Sequence, residues 1–536
     1  MKRTHSRLGR ALAGIMVSSA VLAGCANAGS SDSSGGASSD QTLGTRGIQG
    51  SQVAPSSPAK GGVLSFAGYA PVASLDPTVT HPAGSTGGTE LAAVYDVLIK
   101  YDNDSHSFEP QLAKSIQASP DYLTWTLELR EGVRFSDGTA FDADAVVSSI
   151  DRYNERGGAY SALFKEMVQS TVAKDSTTVE FTLSQPWQNF PAILSYGHGM
   201  IVAPSALQGE DFTPIGAGAF TVESLQPAQE LRLKARSDYW GGEPHLDGLR
   251  FVAIAGEQPK LDALRTGGLD MIYLREADTT STAKGEFPGF LDITNMSILG
   301  NINNAPGRPG SDVRVRQAMA YAIDPEVVNQ RAWDGAGMAG SDMFGPQSVW
   351  HGDATGVKPD STKAQDLLDQ TKAEGFDGKI TYLTVNTPDQ QKVALAVQAQ
   401  LNAVGFDTTI EYVSTATDMV VRTIVDRDYD MTWGAYDVSD IDPEIRLFNT
   451  LSSTRNNTIS LKSPEMDALL SEVLSAPDAD AKRAAINQIQ EFVNREQPFL
   501  TWASAGQVFI AWSENVHGVT PSIEQILLLD KAYIVD

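Results

Sequence analysis

Residues 379–413 contain a strand pattern, a helix pattern and a second strand pattern in close succession. Lys379–Val385 and Phe406–Val413 are rich in β-branched and aromatic residues, as strands are. Between them, four apolar residues recur at spacings that place them on one helical face: Val393, Val397, Leu401 and Val404. Gly405 is positioned to end that helix. A strand, a helix and a strand of these lengths predict a βαβ unit with two parallel strands.

The same alternation continues towards the C-terminus. A helix is predicted near residues 417–425 and a strand over Met431–Tyr436, so this half of the chain is expected to form an α/β domain with a mostly parallel sheet. Ligands of open α/β sheets bind beyond the carboxyl ends of the strands. The candidate binding residues at this strand end are Trp433, Tyr436, Asp437, Asp440 and Asp442. On composition alone, a core tryptophan followed by an acidic surface turn is an equally good interpretation.

The folded body is expected to begin at Gly61. Alternating or continuous apolar patterns predict strands at Gly61–Ala67, Trp125–Leu129 and Thr177–Leu183. No apolar run after Leu22 approaches the length that a membrane-spanning helix needs. The body is therefore not expected to cross a membrane.

The N-terminus has the order of an export signal. A basic stretch over Lys2–Arg10 precedes an apolar run over Ala11–Leu22, which is too short to span a bilayer. The following Leu22-Ala23-Gly24-Cys25 resembles the lipobox of bacterial lipoproteins, which implies cleavage before Cys25 and lipidation of its sulfur. Residues 1–24 are thus a predicted signal peptide. Residues 25–60, rich in Ser, Gly, Ala and Asp, are a predicted lipid-anchored flexible linker.

The charge of the chain argues against nucleic acid as a partner. The sequence has 40 basic and 66 acidic residues, a formal charge of −26. Without the four basic residues of the signal segment, the body has 36 basic and 66 acidic residues, a formal charge of −30. Such a body is repelled by phosphate backbones and by anionic membrane surfaces. Cys25 is also the only cysteine, which excludes disulfides and thiolate chemistry in the body.

Several ordered motifs over residues 61–536 resemble the bacterial extracellular solute-binding proteins of family 5, which include oligopeptide-, dipeptide- and nickel-binding proteins of ABC importers. The motifs are Leu75-Asp76-Pro77, Glu109–Ser115, Trp125–Thr139, Ile215–Phe220, Asp238–Gly242, Asp312–Ala318, Ala322–Asp324, Arg455–Asn457 and Pro464–Leu470. Taken singly, most of them are turns or apolar helix faces. Their order along the chain carries the resemblance.

The resemblance implies an α/β fold of the type II periplasmic-binding-protein class: a two-lobe clamshell with a third domain inserted in lobe 1. The ligand would be enclosed by hinge closure of the lobes. The predicted ranges are 61–96 and 210–298 for lobe 1, 97–209 for the inserted domain, 299–514 for lobe 2, and 515–536 for the C-terminal return to lobe 1.

The resemblance also implies a ligand site. Peptide-binding relatives hold the ligand's α-amino group with an Asp just after a Trp-containing strand. Here the spacing from Trp433 to the Asp442-Pro443 pair is longer, and Ser439 falls where that Asp is expected. Asp437 or Asp440 is the predicted substitute after a loop shift. Two further residues are predicted on loops that reach the cleft: Tyr69 and Asn303.

Other functions remain open at this point. An exported hydrolase is disfavoured, because Ser504 lacks the preceding Gly of a nucleophile elbow and the chain has no His-Glu-x-x-His motif. An oligosaccharide, nickel or a metal chelate fits the same fold as well as a peptide does. A sensory receptor ectodomain is a further alternative. We expect no catalysis and no cofactor, and a monomer lipid-anchored at the outer face of the cytoplasmic membrane. The expected partners are an importer permease and its ATPase.

Overall fold

A computed structural model describes residues 45–50, 52, 57–207, 212–455 and 457–535. The predicted signal peptide and the predicted lipidation site Cys25 lie outside these residues. The helices are α1 Gly88–Tyr95, α2 Ala143–Glu155, α3 Ser161–Met167, α4 Glu257–Arg265, α5 Ala277–Glu286, α6 Val313–Ala322, α7 Pro325–Trp333, α8 Ser361–Ala373, α9 Pro388–Ala403, α10 Ala416–Val420, α11 Pro443–Leu451, α12 Pro464–Ser475 and α13 Ala479–Glu496.

The strands alternate with these helices through most of the chain. They are β1 Gly47–Gln49, β2 Val63–Ala67, β3 Ile99–Asp102, β4 Ser107–Pro110, β5 Ala113–Ala118, β6 Thr124–Leu129, β7 Val168–Ala173, β8 Thr178–Leu183, β9 Phe220–Gln226, β10 Glu230–Ala235, β11 Gly248–Val252, β12 Met271–Leu274, β13 Gly289–Ile302, β14 Met338–Ala339, β15 Lys379–Val385, β16 Asp407–Val413, β17 Met431–Gly434, β18 Phe499–Trp512, β19 Val516–His517, β20 Thr520–Pro521, β21 Leu527–Leu528 and β22 Tyr533–Ile534.

One large mixed sheet runs through most of the molecule. Its main path among the described residues has the order β16-β15-β17-β13-β18-β12-β2-β11-β10-β9. The predicted βαβ unit is confirmed: β15 and β16 are parallel from Lys379↔Asp407 to Val385↔Val413, with α9 between them in sequence. Strand β17 extends this parallel group by pairing with β15. At the other end, β2 is parallel to both β11 and β12.

Two long antiparallel strands, β13 and β18, connect these groups. They pair from Gly289↔Ala511 to Asn301↔Phe499, with irregular register between Asn295 and Leu299. For description, residues 57–96, 212–288 and 513–535 are called the first lobe, and residues 303–498 the second lobe. Strand β18 pairs with β12 of the first lobe over Phe509–Trp512, upstream of the predicted return at 515. The predicted domain boundaries themselves stay a prediction.

Residues 97–207, here called the inserted domain, have a sheet of their own. Strands β5, β6, β8 and β7 form an antiparallel sheet in that order. Along β6 and β8, buried and half-buried residues alternate, and the buried ones are Trp125, Leu127, Leu129, Val179, Phe181 and Leu183. This alternation is the pattern that predicted both strands. Since α1 precedes this domain and β9 follows it, it interrupts the first lobe in sequence.

Part of the predicted flexible linker packs on the body. Strand β1 pairs antiparallel with β13 over Gly47↔Leu291 to Gln49↔Gly289. The Arg46 side chain donates to Asp292 Oδ1 at 2.6 Å, and its guanidinium carbon lies 5.3 Å from the centre of the Phe290 ring. The prediction of a flexible linker over the whole of 25–60 is therefore wrong for residues 45–50. Backbone pairing along an open strand edge does not depend on an apolar pattern, so composition did not reveal it.

Two elements of the second lobe differ in detail from their predicted form. The predicted helix near 417–425 is α10 followed by a π-helical turn over Val421–Val425. The predicted strand over Met431–Tyr436 ends at Gly434. Beyond Gly434 the chain stays beside β13 in irregular register: the Tyr436 N–H donates to Met296 O at 3.0 Å, and Asp437 takes a left-handed backbone conformation with φ of 48°.

Candidate ligand-binding site

The carboxyl ends of strands from both lobes meet at one place. In the first lobe, β2 and β12 are parallel, and Tyr69 and Arg275 follow their carboxyl ends. In the second lobe, β17 is parallel to β15, and Asp437 follows its carboxyl end. Loops at such strand ends are where open α/β sheets place their ligand groups. Tyr69, Arg275 and Asp437 are called the interlobe site below.

A salt bridge joins the lobes at this site. The Arg275 guanidinium donates to Asp437 Oδ1 at 3.0 Å and to Oδ2 at 3.2 Å. The Thr294 hydroxyl, on crossing strand β13, donates to the same Oδ1 at 3.2 Å. The two charged side chains are 23% and 27% exposed, so solvent reaches both. The Asp437 carboxylate raises the pKa of Arg275 further above its ordinary range, against the opposing effect of burial.

Two tyrosines form the wall beside this pair. The Arg275 guanidinium carbon lies 5.3 Å from the Tyr69 ring centre, a cation–π distance. The Tyr69 and Tyr273 rings contact at 5.7 Å between centres, and the Tyr273 hydroxyl donates to Gln525 Oε1 at 3.2 Å. Tyr69 is 46% exposed although its ring makes both of these contacts. It therefore presents an aromatic face to solvent beside the salt bridge.

Asp440 lies in a different environment from Asp437. Its carboxylate accepts from the Ser348 hydroxyl at 2.6 Å, the Asn295 amide at 2.8 Å and the Val349 N–H at 3.3 Å. Burial raises the pKa of Asp440, and these hydrogen bonds oppose the rise. Because Asp440 already has three donors, it holds the 437–442 loop onto the body. The Asp437 carboxylate, by contrast, can bind a ligand once its pair with Arg275 is broken.

The remaining predicted site residues pack within the second lobe and its border. Tyr436 is 7% exposed, and its hydroxyl donates to Asn301 Oδ1 at 2.9 Å. Trp433 is half-buried against the apolar core of the second lobe. Asn303 is fully buried, and its amide donates to Arg427 O at 3.1 Å and Tyr429 O at 3.0 Å. The structure thus corrects the expectation that Asn303 lies on a loop facing the cleft: its side chain supports the backbone at 427–429.

A second charged group lies next to the interlobe site. The Arg446 guanidinium of α11 donates to Glu524 Oε1 of the first lobe at 2.9 Å. The Tyr196 hydroxyl of the inserted domain donates to Asp442 Oδ2 at 2.7 Å. Burial raises the pKa of both Glu524 and Asp442, although Arg446 opposes the rise. All three parts of the chain contribute a charged or phenolic group here.

Sequence reasoning missed Arg275, Arg446 and Glu524. The strand-end rule would have found Arg275 if Met271–Leu274 had been predicted as a strand. No local pattern marks Glu524, which is brought to Arg446 by the C-terminal return of the chain. Among the residues that the structure describes, no group of three or more His, Cys, Asp or Glu side chains is arranged to hold a metal ion. The described helices include none with the length and apolar character that spanning a bilayer requires.

Comparisons with known proteins agree with this architecture. The family model "Bacterial extracellular solute-binding proteins, family 5 Middle" matches residues 107–458. The dipeptide-binding protein of Escherichia coli (strain K12) is 26% identical over 386 residues, 64% of this chain and 71% of the relative. The probable D,D-dipeptide-binding periplasmic protein DdpA of the same organism is 26% identical over 483 residues, 84% of this chain and 90% of the relative.

A solved structure extends the likeness to most of the chain. The periplasmic binding protein DppA from Helicobacter pylori, in complex with the peptide STSA, aligns with a TM-score of 0.76 at 23% identity, covering 89% of this chain and 99% of that one. The predicted type II clamshell class is thereby confirmed. Since the family model spans more than half of the chain, the protein belongs to the bacterial extracellular solute-binding proteins of family 5, which bind solutes and are not enzymes.

Proposed function

We propose that this protein captures short peptides outside the cell and delivers them to the permease and ATPase of an ABC importer. The observation that carries the proposal is the Arg275–Asp437 pair, which places opposite charges from the two lobes side by side. A short peptide carries both an ammonium and a carboxylate. It can therefore offer each of these side chains a new partner of the opposite sign as the lobes close on it.

Arg275 and Asp437 are each suited to exchange the other for a charged group of the ligand. An ion pair that solvent reaches contributes about 1 kcal/mol or less, because water and salt screen it. Separating Arg275 from Asp437 therefore costs little, whereas a ligand held between the lobes is desolvated and bound more strongly. The exposed Tyr69 ring beside the pair adds an aromatic surface for an apolar side chain of the ligand. The names of the relatives, two of which concern dipeptides, support the same ligand class.

Membrane attachment is part of the proposal. The signal-like N-terminus and Cys25 support lipid anchoring at the outer face of the cytoplasmic membrane. An anchored monomer would meet its permease by diffusion in two dimensions. Metabolic labelling with a clickable palmitate analogue tests the anchor. Label on the wild-type chain and none on Cys25→Ser is expected, and equal labelling of both would contradict it.

The ligand class is tested by thermal shift on the purified full chain with peptides of two to eight residues, oligosaccharides and metal chelates. A ligand present at 100 times its dissociation constant stabilises the folded state by about 2.7 kcal/mol. We expect a shift with peptides that Asp437→Asn and Arg275→Met each weaken, while the exposed control Asp353→Asn leaves it unchanged. A shift with oligosaccharides or chelates alone would reject peptide capture and retain solute binding.

A further inference from the structure

Two charged side chains lie buried in the first lobe, near the start of α4. Glu257 and Lys260 are 4% and 3% exposed. They are three positions apart, so both lie on the same side of the helix. Burying a charged group is unfavourable unless the group is paired or hydrogen-bonded, so its partners show which part of the fold it holds in place.

Glu257 binds the backbone that carries Arg275. Its carboxylate accepts from the Arg275 N–H at 2.8 Å and from the Glu276 N–H at 3.0 Å. The hydroxyl of Thr279, in the first turn of α5, donates to the same carboxylate. Because Arg275 directly follows β12, the chain leaves that strand with two consecutive N–H groups bound to one side chain. Glu257 therefore defines the position from which the Arg275 side chain reaches Asp437.

Lys260 binds the backbone that carries Tyr69. Its ammonium group donates to Gly68 O at 2.7 Å, and Gly68 lies between the end of β2 and Tyr69. Burial lowers the pKa of Lys260, and the carboxylates of Glu257 and Glu276 oppose the fall. A hydrogen bond is electrostatically stronger in such buried surroundings than in water. The backbone next to Tyr69 is therefore held by Lys260.

The position of α4 explains how one helix reaches both loops. Strands β2 and β12 are parallel neighbours, so their carboxyl ends lie side by side. The helix packs against β12 and α5. Tyr69 and Arg275 follow these two strand ends, and the ring centre and the guanidinium carbon are 5.3 Å apart. Binding groups that are held in place before a ligand arrives lose less conformational freedom on binding, which raises the affinity.

We propose that Glu257 and Lys260 are positioning residues of the interlobe site: Glu257 orients Arg275, and Lys260 orients Tyr69, for contact with the solute. Neither positioning residue touches the solute itself. The inference rests on the proposed function and adds to it the residues that set the affinity from behind the site. Each positioning residue acts through one binding residue, so the two effects are separable.

Calorimetry on the purified full chain tests this with two peptide probes, Ala-Phe and trialanine. Lys260→Met removes the donor, and Glu257→Gln replaces one acceptor oxygen with an amide group. We expect each variant to weaken binding about tenfold, the lower end of the effect that removing a group behind a metal ligand has on metal affinity. Lys260→Arg keeps a charged donor and should retain most of the wild-type affinity. The control Asp262→Asn, at an exposed side chain of α4, should bind as the wild type does.

Combinations with Tyr69→Ala and Arg275→Met separate positioning from a general structural effect. Lys260→Met should weaken binding no further in the Tyr69→Ala background, and Glu257→Gln should weaken it no further in the Arg275→Met background. The crossed combinations should each weaken binding again. A role in stability alone would lower the urea midpoint and either leave the affinity unchanged or reduce it equally in every background.

Affinities that neither variant changes, or losses that are additive in every background, would overturn the positioning role and leave peptide capture standing. A wild type that binds neither probe would overturn peptide capture, and the salt bridge between the lobes then tests Glu257 without a ligand. Glu257→Gln should remove the coupling energy between Arg275 and Asp437 in a double-mutant cycle of urea unfolding. A coupling energy that Glu257→Gln leaves unchanged would overturn the positioning role as well. The same cycle keeps the test decisive if Lys260→Met folds poorly.

Discussion

Glu90 offers a direct test of the electrostatics next to the interlobe site. It lies on α1, is 4% exposed, and its Oε1 faces Gly68, the neighbour of Tyr69. Burial raises the pKa of Glu90 from 4.5 to about 7, and only its backbone N–H opposes the rise. Replacing Glu90 with Gln keeps the shape of the side chain and removes its ionisation.

The sign and size of the effect follow from proton linkage. Between pH 4.5 and about 7 the folded protein keeps a proton on Glu90 that the unfolded chain has lost. The stability that this proton provides is complete below pH 4.5 and is lost as the pH rises through about 7. At 1.36 kcal/mol per pH unit, the loss reaches about 3 kcal/mol. Asp96, whose pKa burial also raises to about 7, makes the wild-type slope steeper in the same direction.

The assay is urea unfolding of wild type and Glu90→Gln at pH 5, 6, 7 and 8. We expect nearly equal free energies of unfolding at pH 5 and a variant that is more stable by about 3 kcal/mol at pH 8. Comparing the two proteins isolates Glu90, since Asp96 contributes to both. Glu131→Gln, in an exposed turn, serves as the control and should follow the wild type. A variant with the wild-type slope, or one that is less stable at pH 8, would refute the reasoning.

Three further predictions concern contacts described above. A double-mutant cycle of Arg275→Met and Asp437→Asn, measured by urea unfolding, should give a coupling energy of about 1 kcal/mol that falls in 1 M NaCl. A coupling energy that salt does not change would contradict a solvent-accessible ion pair. Arg46→Ala should lower the free energy of unfolding by about 2–4 kcal/mol, because Asp292 is buried and loses its cationic partner; an unchanged urea midpoint would show that the arm is not docked. Gly216→Ala should lower the thermal midpoint by several degrees, since its Cβ would lie 2.3 Å from the Val94 carbonyl oxygen. An unaltered midpoint would mean that the backbone around Val94 moves to accommodate the methyl group without loss of stability.

Sequence patterns predicted the second-lobe sheet well because its determinants are local. Apolar periodicity defines α9, and Gly405, with φ of 103°, takes the left-handed conformation that ends it. Lengths of strand and helix then dictate a parallel pair. The end of β17 was predicted two residues too late, because the register there becomes irregular against Met296 of β13, a residue about 140 positions upstream.

The site was only partly predictable for a similar reason. The strand-end rule predicted Asp437 and its loop as binding residues, and a loop position predicted Tyr69; the structure places both residues beside Arg275. What the rule does not give is the partner across the cleft, since Arg275 lies 162 residues before Asp437 and pairs with it only after both lobes form. Asn303 follows β13 directly, so a loop contact was a reasonable expectation. Its burial arises from the 427–429 backbone, which has no signature in the sequence around residue 303.

The docked strand β1 has a mechanical consequence for an anchored molecule. If a lipid on Cys25 holds the chain, the 20 residue steps from Cys25 to Thr45 limit the distance from bilayer surface to body to about 70 Å, at roughly 3.5 Å per step. Because β1 pairs with β13, this tether of residues 25–45 joins the body at the crossing strands and not at the tip of either lobe. A tether attached there would pull on neither lobe tip, so it would not oppose the hinge closure by which clamshell folds enclose a ligand.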